Sequence, residues 1–213
     1  MMSFLAKSST KPGARQSTQQ VGEITSSPLL FSLLDSLDPE KRYEILETCT
    51  PSRSTIEYLS NYRCKLYISN ASAELATMDA EKLDSAHKLN RAFIKALNLY
   101  KNQKTQLNVL LLWDLPNYIQ PALFPALIEY LLPHMSKDAT LHCYIHTSSL
   151  MPEEPGQYHI LEDKSVRINS HSPRTRSCPC YYQEALHKLM TPLRVKRSIL
   201  HTNGTQEYLL SRQ

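Results

Sequence analysis

The chain has 213 residues, of which 41% are apolar and 21% charged, and a net charge of +4. A chain of this size buries roughly 70% of its unfolded surface, which allows one core and, by default, one domain. Lys7, Lys11 and Arg15 lie in a stretch, residues 1–22, that holds no acid; without them the remainder carries about +1, so the charge gives no case for a nucleic-acid partner.

No apolar run approaches the roughly 18–20 residues needed to cross a bilayer, so no membrane partner is expected. The five cysteines are odd in number and scattered, as befits thiols in a reducing compartment. A soluble cytoplasmic protein is the expectation.

Residues 1–27 are rich in Ser, Thr and Gln and read as a disordered basic tail, too poor in apolar groups to fold. The domain is expected over 28–213. It opens with a short apolar helix, Pro28–Asp35, expected on an edge of the sheet. Tyr43–Thr48 reads as a strand, and Ser52–Asn61 as a helix opened by Ser and Thr caps. Cys64–Ser69 is a second strand. Asp79 is expected to begin a long helix with Leu83, Ala86, Asn90, Phe93, Leu97 and Tyr100 on its inner face.

The continuous apolar run Leu107–Trp113 fits a strand covered on both faces. Asp114–Tyr118 ends it, Pro121–Leu132 has the spacing of one helical face, and Thr140–Ile145 follows as a strand, completing a βαβ unit. Ligands of such sheets lie at the carboxyl ends of the strands, which puts Asp114, Asn117, Tyr118 and His146 where chemistry would occur. Tyr158–Leu161 and Ser165–Ile168 suggest a hairpin, and Tyr181–Met190 a helix. Leu193–Leu200 and Gln206–Ser211 are strands joined at Asn203-Gly204, a strong hairpin signal.

This order resembles the class I S-adenosylmethionine-dependent methyltransferases. The resemblance spans roughly residues 43–212. It rests on Asn108–Tyr118, similar to that family's fourth strand and turn, on Leu131–Leu141, similar to the entry to its fifth strand, and on the closing hairpin Val195–Leu210. It implies an α/β, doubly wound, mostly parallel Rossmann-like sheet with an antiparallel C-terminal hairpin. It also implies S-adenosylmethionine as the cofactor, with Glu47, Cys49, Asn70 and Asp114 facing it and Asp114 with Tyr118 as the catalytic pair beside the acceptor.

The residues depart from the family's pattern at both cofactor positions. Where its first strand leads into a glycine-rich loop, this chain has Cys49-Thr-Pro-Ser52, and no glycine occurs between Glu23 and Pro155. Glycine lets a backbone approach a ligand closely, and a β-carbon intrudes there. Asn70 stands where an acid usually accepts from both ribose hydroxyls, and an amide has only one acceptor oxygen. A third strand is hard to find between Ala71 and Gln106, so six are expected.

The expectation is a methyltransferase-like protein with a degenerate S-adenosylmethionine site, serving as a binding or scaffold module for an unknown protein or small molecule. One alternative is an active methyltransferase with an unidentified acceptor. The other is a cysteine-based metal or redox protein built on Cys178-Pro-Cys180. No metal site is assigned, because His142 and His146 stand too far apart along one strand to share an ion. Arg174 and Arg176, in the same loop as the two cysteines, could recognise an anion.

Overall fold

In the computed structural model, residues 22–83, 85–100, 104–170 and 173–212 are described. Most of the expected tail therefore lies outside them. Its last part is a correction: Glu23–Ser26 is a strand, β1, pairing antiparallel with Ser165–Ile168.

The further elements are α1 (Pro28–Asp35), β2 (Tyr43–Glu47), α2 (Arg53–Leu59), β3 (Cys64–Ile68), α3 (Ala71–Ala76), α4 (Ala86–Leu97), β4 (Leu107–Trp113), α5 (Phe124–Leu131), β5 (Met135–His146), β6 (Leu150–Pro152), β7 (Gln157–Ile160), β8 (Ser165–Asn169), β9 (Thr175–Ser177), α6 (Gln183–Met190), β10 (Arg194–Leu200) and β11 (Thr205–Ser211). The central sheet has six strands in the order β10-β11-β5-β4-β2-β3. Strands β3, β2, β4 and β5 run parallel, β11 alone is reversed, and β10, antiparallel to β11, runs in the direction of the first four. This is the doubly wound, methyltransferase-like sheet with its closing hairpin. Gly204, at φ +77° in the hairpin turn, takes a conformation that glycine adopts freely.

Successive side chains of a strand point to opposite faces, and β4 shows why its whole run is apolar. Leu110 and Leu112 enter one core with α3, α4, α5 and α6. Val109, Leu111 and Trp113 enter the other, with α1, α2 and the small sheet β1-β8-β7. Each fully buried side chain of this kind contributes roughly 1.5–3 kcal/mol.

Two local expectations are corrected. Helix α1 packs on the face of the sheet, its Leu29, Leu30 and Leu34 fully buried beside Ile45 and Leu209, because so apolar a helix cannot be satisfied at an edge. The helix expected from Asp79 is interrupted. Asp79 caps only a single 3-10 turn, Ala80–Lys82, and Ser85 caps α4 anew by accepting from Lys88 N. Asn98 then ends α4 in the left-handed region at φ 54°, which leaves Tyr100 exposed. Among the described residues no helix is long and apolar enough to cross a membrane.

Candidate functional site

The carboxyl ends of β2, β3, β4 and β5 form one edge, stitched together locally. Thr48 Oγ1 donates to Leu111 O at 2.8 Å, Ser69 Oγ donates to Glu47 O at 3.1 Å, and Ser72 N donates to Thr48 O at 2.9 Å. These bonds satisfy turns that have no glycine to fold tightly. At the end of β4, Trp113 adopts φ +51°, a strained conformation for so large a residue. It is held by a hydrogen bond from its indole to Glu47 Oε1 (2.5 Å) and by stacking on Tyr158 with ring centroids 4.8 Å apart.

Across this edge runs the segment from β6 to Gly156, the feature that sequence reasoning missed. Tyr118 donates its hydroxyl to Pro152 O (3.1 Å) and Glu154 O (2.8 Å), Gly156 N donates to Asp114 Oδ2 (2.9 Å), and Cys49 Sγ lies 3.7 Å from Gly156 O. Strand β6 is itself paired with β9, which brings the Arg174–Arg176 loop over the same edge. The lone glycine of the middle of the chain was the available signal. A β-carbon at Gly156 would stand 3.1 Å from both Ile168 Cγ2 and Tyr158 Cε2.

The segment divides the edge into two cavities. One, of about 400 Å³, is lined by Cys49, Thr50, Asn70, Ser72, Glu153 and Arg176, among others. The second, of about 580 Å³, is lined by Asp114, His146, Leu150, Tyr158 and Ile168, among others. The predicted residues are thus separated. Cys49 and Asn70 meet on the first cavity, Asp114 faces the second, and Glu47 lines neither. Tyr118 is 3% exposed, and its hydroxyl is committed to the crossing segment.

Both acids of the edge are buried and half satisfied. Glu47 Oε1 accepts from Cys49 N at 2.9 Å and from Trp113, whereas its Oε2 has no partner. Burial drives its pKa up to about 8, against the opposing effect of those two bonds. Asp114 Oδ1 likewise has no partner, and burial raises this group to about 7 in spite of the hydrogen bonds that Gly156 N and the Tyr158 hydroxyl give its carboxyl. Burial also raises Cys49 to about 12, which keeps it a thiol at neutral pH and a poor nucleophile.

These residues do not fit S-adenosylmethionine as the family's pattern would hold it. Glu47 is buried and lines neither cavity, and with its pKa raised to about 8 it is largely protonated near neutrality. Asn70 offers an amide whose oxygen stands 3.4 Å from Thr50 Oγ1. Cys49 brings a β-carbon to the position where the family's glycine leaves room, and its Sγ lies 3.7 Å from Gly156 O.

A second polar cluster also escaped the sequence reading, although His142 and Tyr144, alternating in a strand covered on both faces, hinted at it. Glu207, fully buried on β11, accepts through Oε1 from Ser27 Oγ (2.6 Å), Leu30 N (2.9 Å) and His142 Nε2 (2.8 Å), and its Oε2 lies 3.1 Å from His201 Nε2. Tyr144 donates to Ser27 Oγ at 2.6 Å. Burial alone would raise Glu207, but the hydrogen bond and charge of His142, with Ser27 and Leu30 N, outweigh it and hold the group at about 2.

All five cysteines are free thiols. Cys178 and Cys180 contact the backbone oxygens of His146 (3.4 Å) and Ser148 (3.1 Å). Among the described residues, no three His, Cys, Asp or Glu side chains converge as metal ligands.

No known protein family and no curated protein matches the chain by sequence. Solved structures do resemble its path. The glycopeptide N-methyltransferase MtfA, complexed with S-adenosyl-L-homocysteine, is similar over 94% of each chain at 11% identity and a TM-score of 0.49. An S-adenosylmethionine-dependent methyltransferase from Clostridium acetobutylicum is similar over 87% of this chain and 89% of its own, at 13% identity and a TM-score of 0.44. The PH0226 protein from Pyrococcus horikoshii matches over 87% of each chain at 12% identity and a TM-score of 0.41. Likeness of this degree does not extend to chemistry.

Proposed function

We propose that this protein is a binding module on a methyltransferase-like fold, with the S-adenosylmethionine site degenerate. The observation that carries this reading is the segment Pro152–Gly156, tied down across the strand ends by Tyr118 and Asp114 where the family's cofactor would lie. Its ties are side chain to backbone, so the segment's position is specified by Asp114 and Tyr118 more than by its own sequence. Glu47 and Asn70 support the same reading, the first by its burial away from both cavities and the second by its missing charge.

The test is a thermal-shift and calorimetric titration with S-adenosylmethionine and S-adenosylhomocysteine. The reading expects no stabilisation at millimolar ligand. Tight binding, which raises stability in proportion to the logarithm of ligand over Kd, would restore the alternative of an active methyltransferase. Cysteine-based metal or redox chemistry has no comparable support, because the Cys178 and Cys180 thiols are spent on backbone contacts.

A further inference from the structure

The central sheet ends at two open edges, and they are finished differently. Among the described residues, β10 pairs only with β11, and β3 only with β2. An open edge offers unpaired backbone donors and acceptors to any other strand, and proteins blunt it with bulges and charges. Strand β10 has both. A bulge between Val195 and Arg197 leaves Lys196 out of the ladder, and Arg194, Lys196 and Arg197 are exposed. Paired along its length with a second copy of itself, β10 would set Arg197 against Arg197, and like charges directly opposite are destabilising.

Strand β3 has neither device. Its five residues pair with β2 without a break in register. The ammonium of its one charged residue, Lys65, is drawn onto Tyr67, 2.7 Å from the hydroxyl and 4.4 Å from the ring centroid. Two bonds to β2 fix which way the backbone groups point: Arg63 O accepts from Tyr43 N (2.9 Å), and Ser69 N donates to Glu47 O (2.9 Å). In a parallel ladder alternate residues address the same neighbour, so Arg63, Lys65, Tyr67 and Ser69 face β2. The N–H and C=O of Leu66 and Ile68 therefore point to the open side. Ile68 is also 45% exposed.

We propose that this edge joins two copies of the chain in a two-fold dimer, β3 pairing antiparallel with β3 of the second copy about Leu66. The register is self-complementary, as a two-fold contact requires. The N–H and C=O of Leu66 would exchange bonds with Leu66 of the second copy, and each Ile68 N–H would reach the Cys64 C=O opposite. Cys64 N needs no partner there, because it already donates to Tyr62 O at 2.8 Å. The side chains agree with this register. Leu66 falls opposite Leu66, Ile68 opposite Cys64 and Lys65 opposite Tyr67, so no like charges meet. A contact confined to one short strand and its flanks belongs to the small class of interfaces, so the dimer should be weak and reversible. It is independent of the function proposed above, since neither cavity at the strand ends includes a residue of β3.

The experiment is analytical ultracentrifugation of the full chain from about 1 to about 300 µM, a span that covers a weak interface. The weight-average mass should rise with concentration from the 24.4 kDa of one chain toward twice that value. Ile68→Lys puts a charge at an exposed edge position and should weaken the dimer about ten-fold or more, because a two-fold contact feels the change twice. Leu66→Pro removes the central donor from both strands and should abolish dimerisation; an edge strand tolerates proline where its N–H faces outward. Should Leu66→Pro fail to fold, Ile68→Lys decides alone. Leu200→Lys, at a position of β10 that is 66% exposed, is the control and should leave the dimer unchanged. The proposal is overturned by a single species of 24.4 kDa across the whole range, by a dimer that Ile68→Lys leaves intact, or by one that Leu200→Lys weakens equally.

Discussion

Two regions of this molecule bury carboxylates, and they treat them in opposite ways. Around Glu207, four donors from α1, β5 and the closing hairpin converge on the two oxygens, and the acid stays ionised to about pH 2. At the strand ends, Glu47 and Asp114 each keep one oxygen without a partner, and burial drives their pKa values to about 8 and 7. The difference teaches that burial alone does not mark a site. A saturated network ties elements together, as this one fastens the start of α1 to the sheet. An unsaturated one is a liability for stability, because each unpaired oxygen keeps its desolvation cost.

The largest effect should come from breaking the saturated network. Glu207→Ala leaves Ser27, Leu30 N and both histidines without their acceptor and should cost about 3–5 kcal/mol in urea unfolding. A loss below about 1 kcal/mol, the size of a surface pair, would show that the network fastens nothing.

The acids at the edge sharpen the comparison through pH. Their folded pKa values lie above their unfolded ones, so the native state holds their protons more tightly. The stability they confer is present below about pH 4, the unfolded range, and lost as pH rises through about 7 for Asp114 and 8 for Glu47. Glu207, with its folded value lowered to about 2, contributes with the other sign, stabilising above about pH 4.5 and losing that effect as pH falls through 2. Stability should therefore decline from pH 5 to pH 9 by on the order of a few kcal/mol, and Glu47→Gln should flatten the decline. A wild-type profile that rises over this range would contradict the assignment.

Smaller changes probe the crossing segment. Gly156→Ala places a methyl group 3.1 Å from Ile168 Cγ2 and Tyr158 Cε2; both are packed, so a cost of about 1–3 kcal/mol is expected in thermal unfolding. Tyr118→Phe removes the hydroxyl that holds Pro152 O and Glu154 O, about 1 kcal/mol. Its sharper readout is faster amide exchange over residues 152–156 with little change elsewhere. Equal exchange in both proteins would mean that Tyr118 does not hold the segment.

How much of this could be read from the chain follows the range of the forces involved. The run Leu107–Trp113, the proline-opened helix Pro28–Asp35 and the turn at Asn203-Gly204 carry local signals, and each takes its expected conformation over its expected residues. Strand β1 carries none, being short, mostly exposed and paired with β8, far along the chain. The Asp79 helix fails because two caps compete within one periodic stretch. At the site, the strand ends bearing Glu47, Cys49, Asn70 and Asp114 were legible from period and punctuation. That a segment from beyond β5 would pass between them was not, because its ties join distant side chains to its backbone and leave no pattern in its own residues beyond the single Gly156.

The most direct measurement is a carbon-detected NMR titration of the side-chain carboxyls of Glu47, Asp114 and Glu207 in the same sample. The account predicts that Glu207 remains ionised to about pH 2 while Asp114 and Glu47 titrate near 7 and 8. If Asp114 and Glu47 instead titrate near 4, as exposed carboxyls do, their oxygens are solvated or partnered. The contrast between a saturated anchor and an unsaturated site would then be wrong.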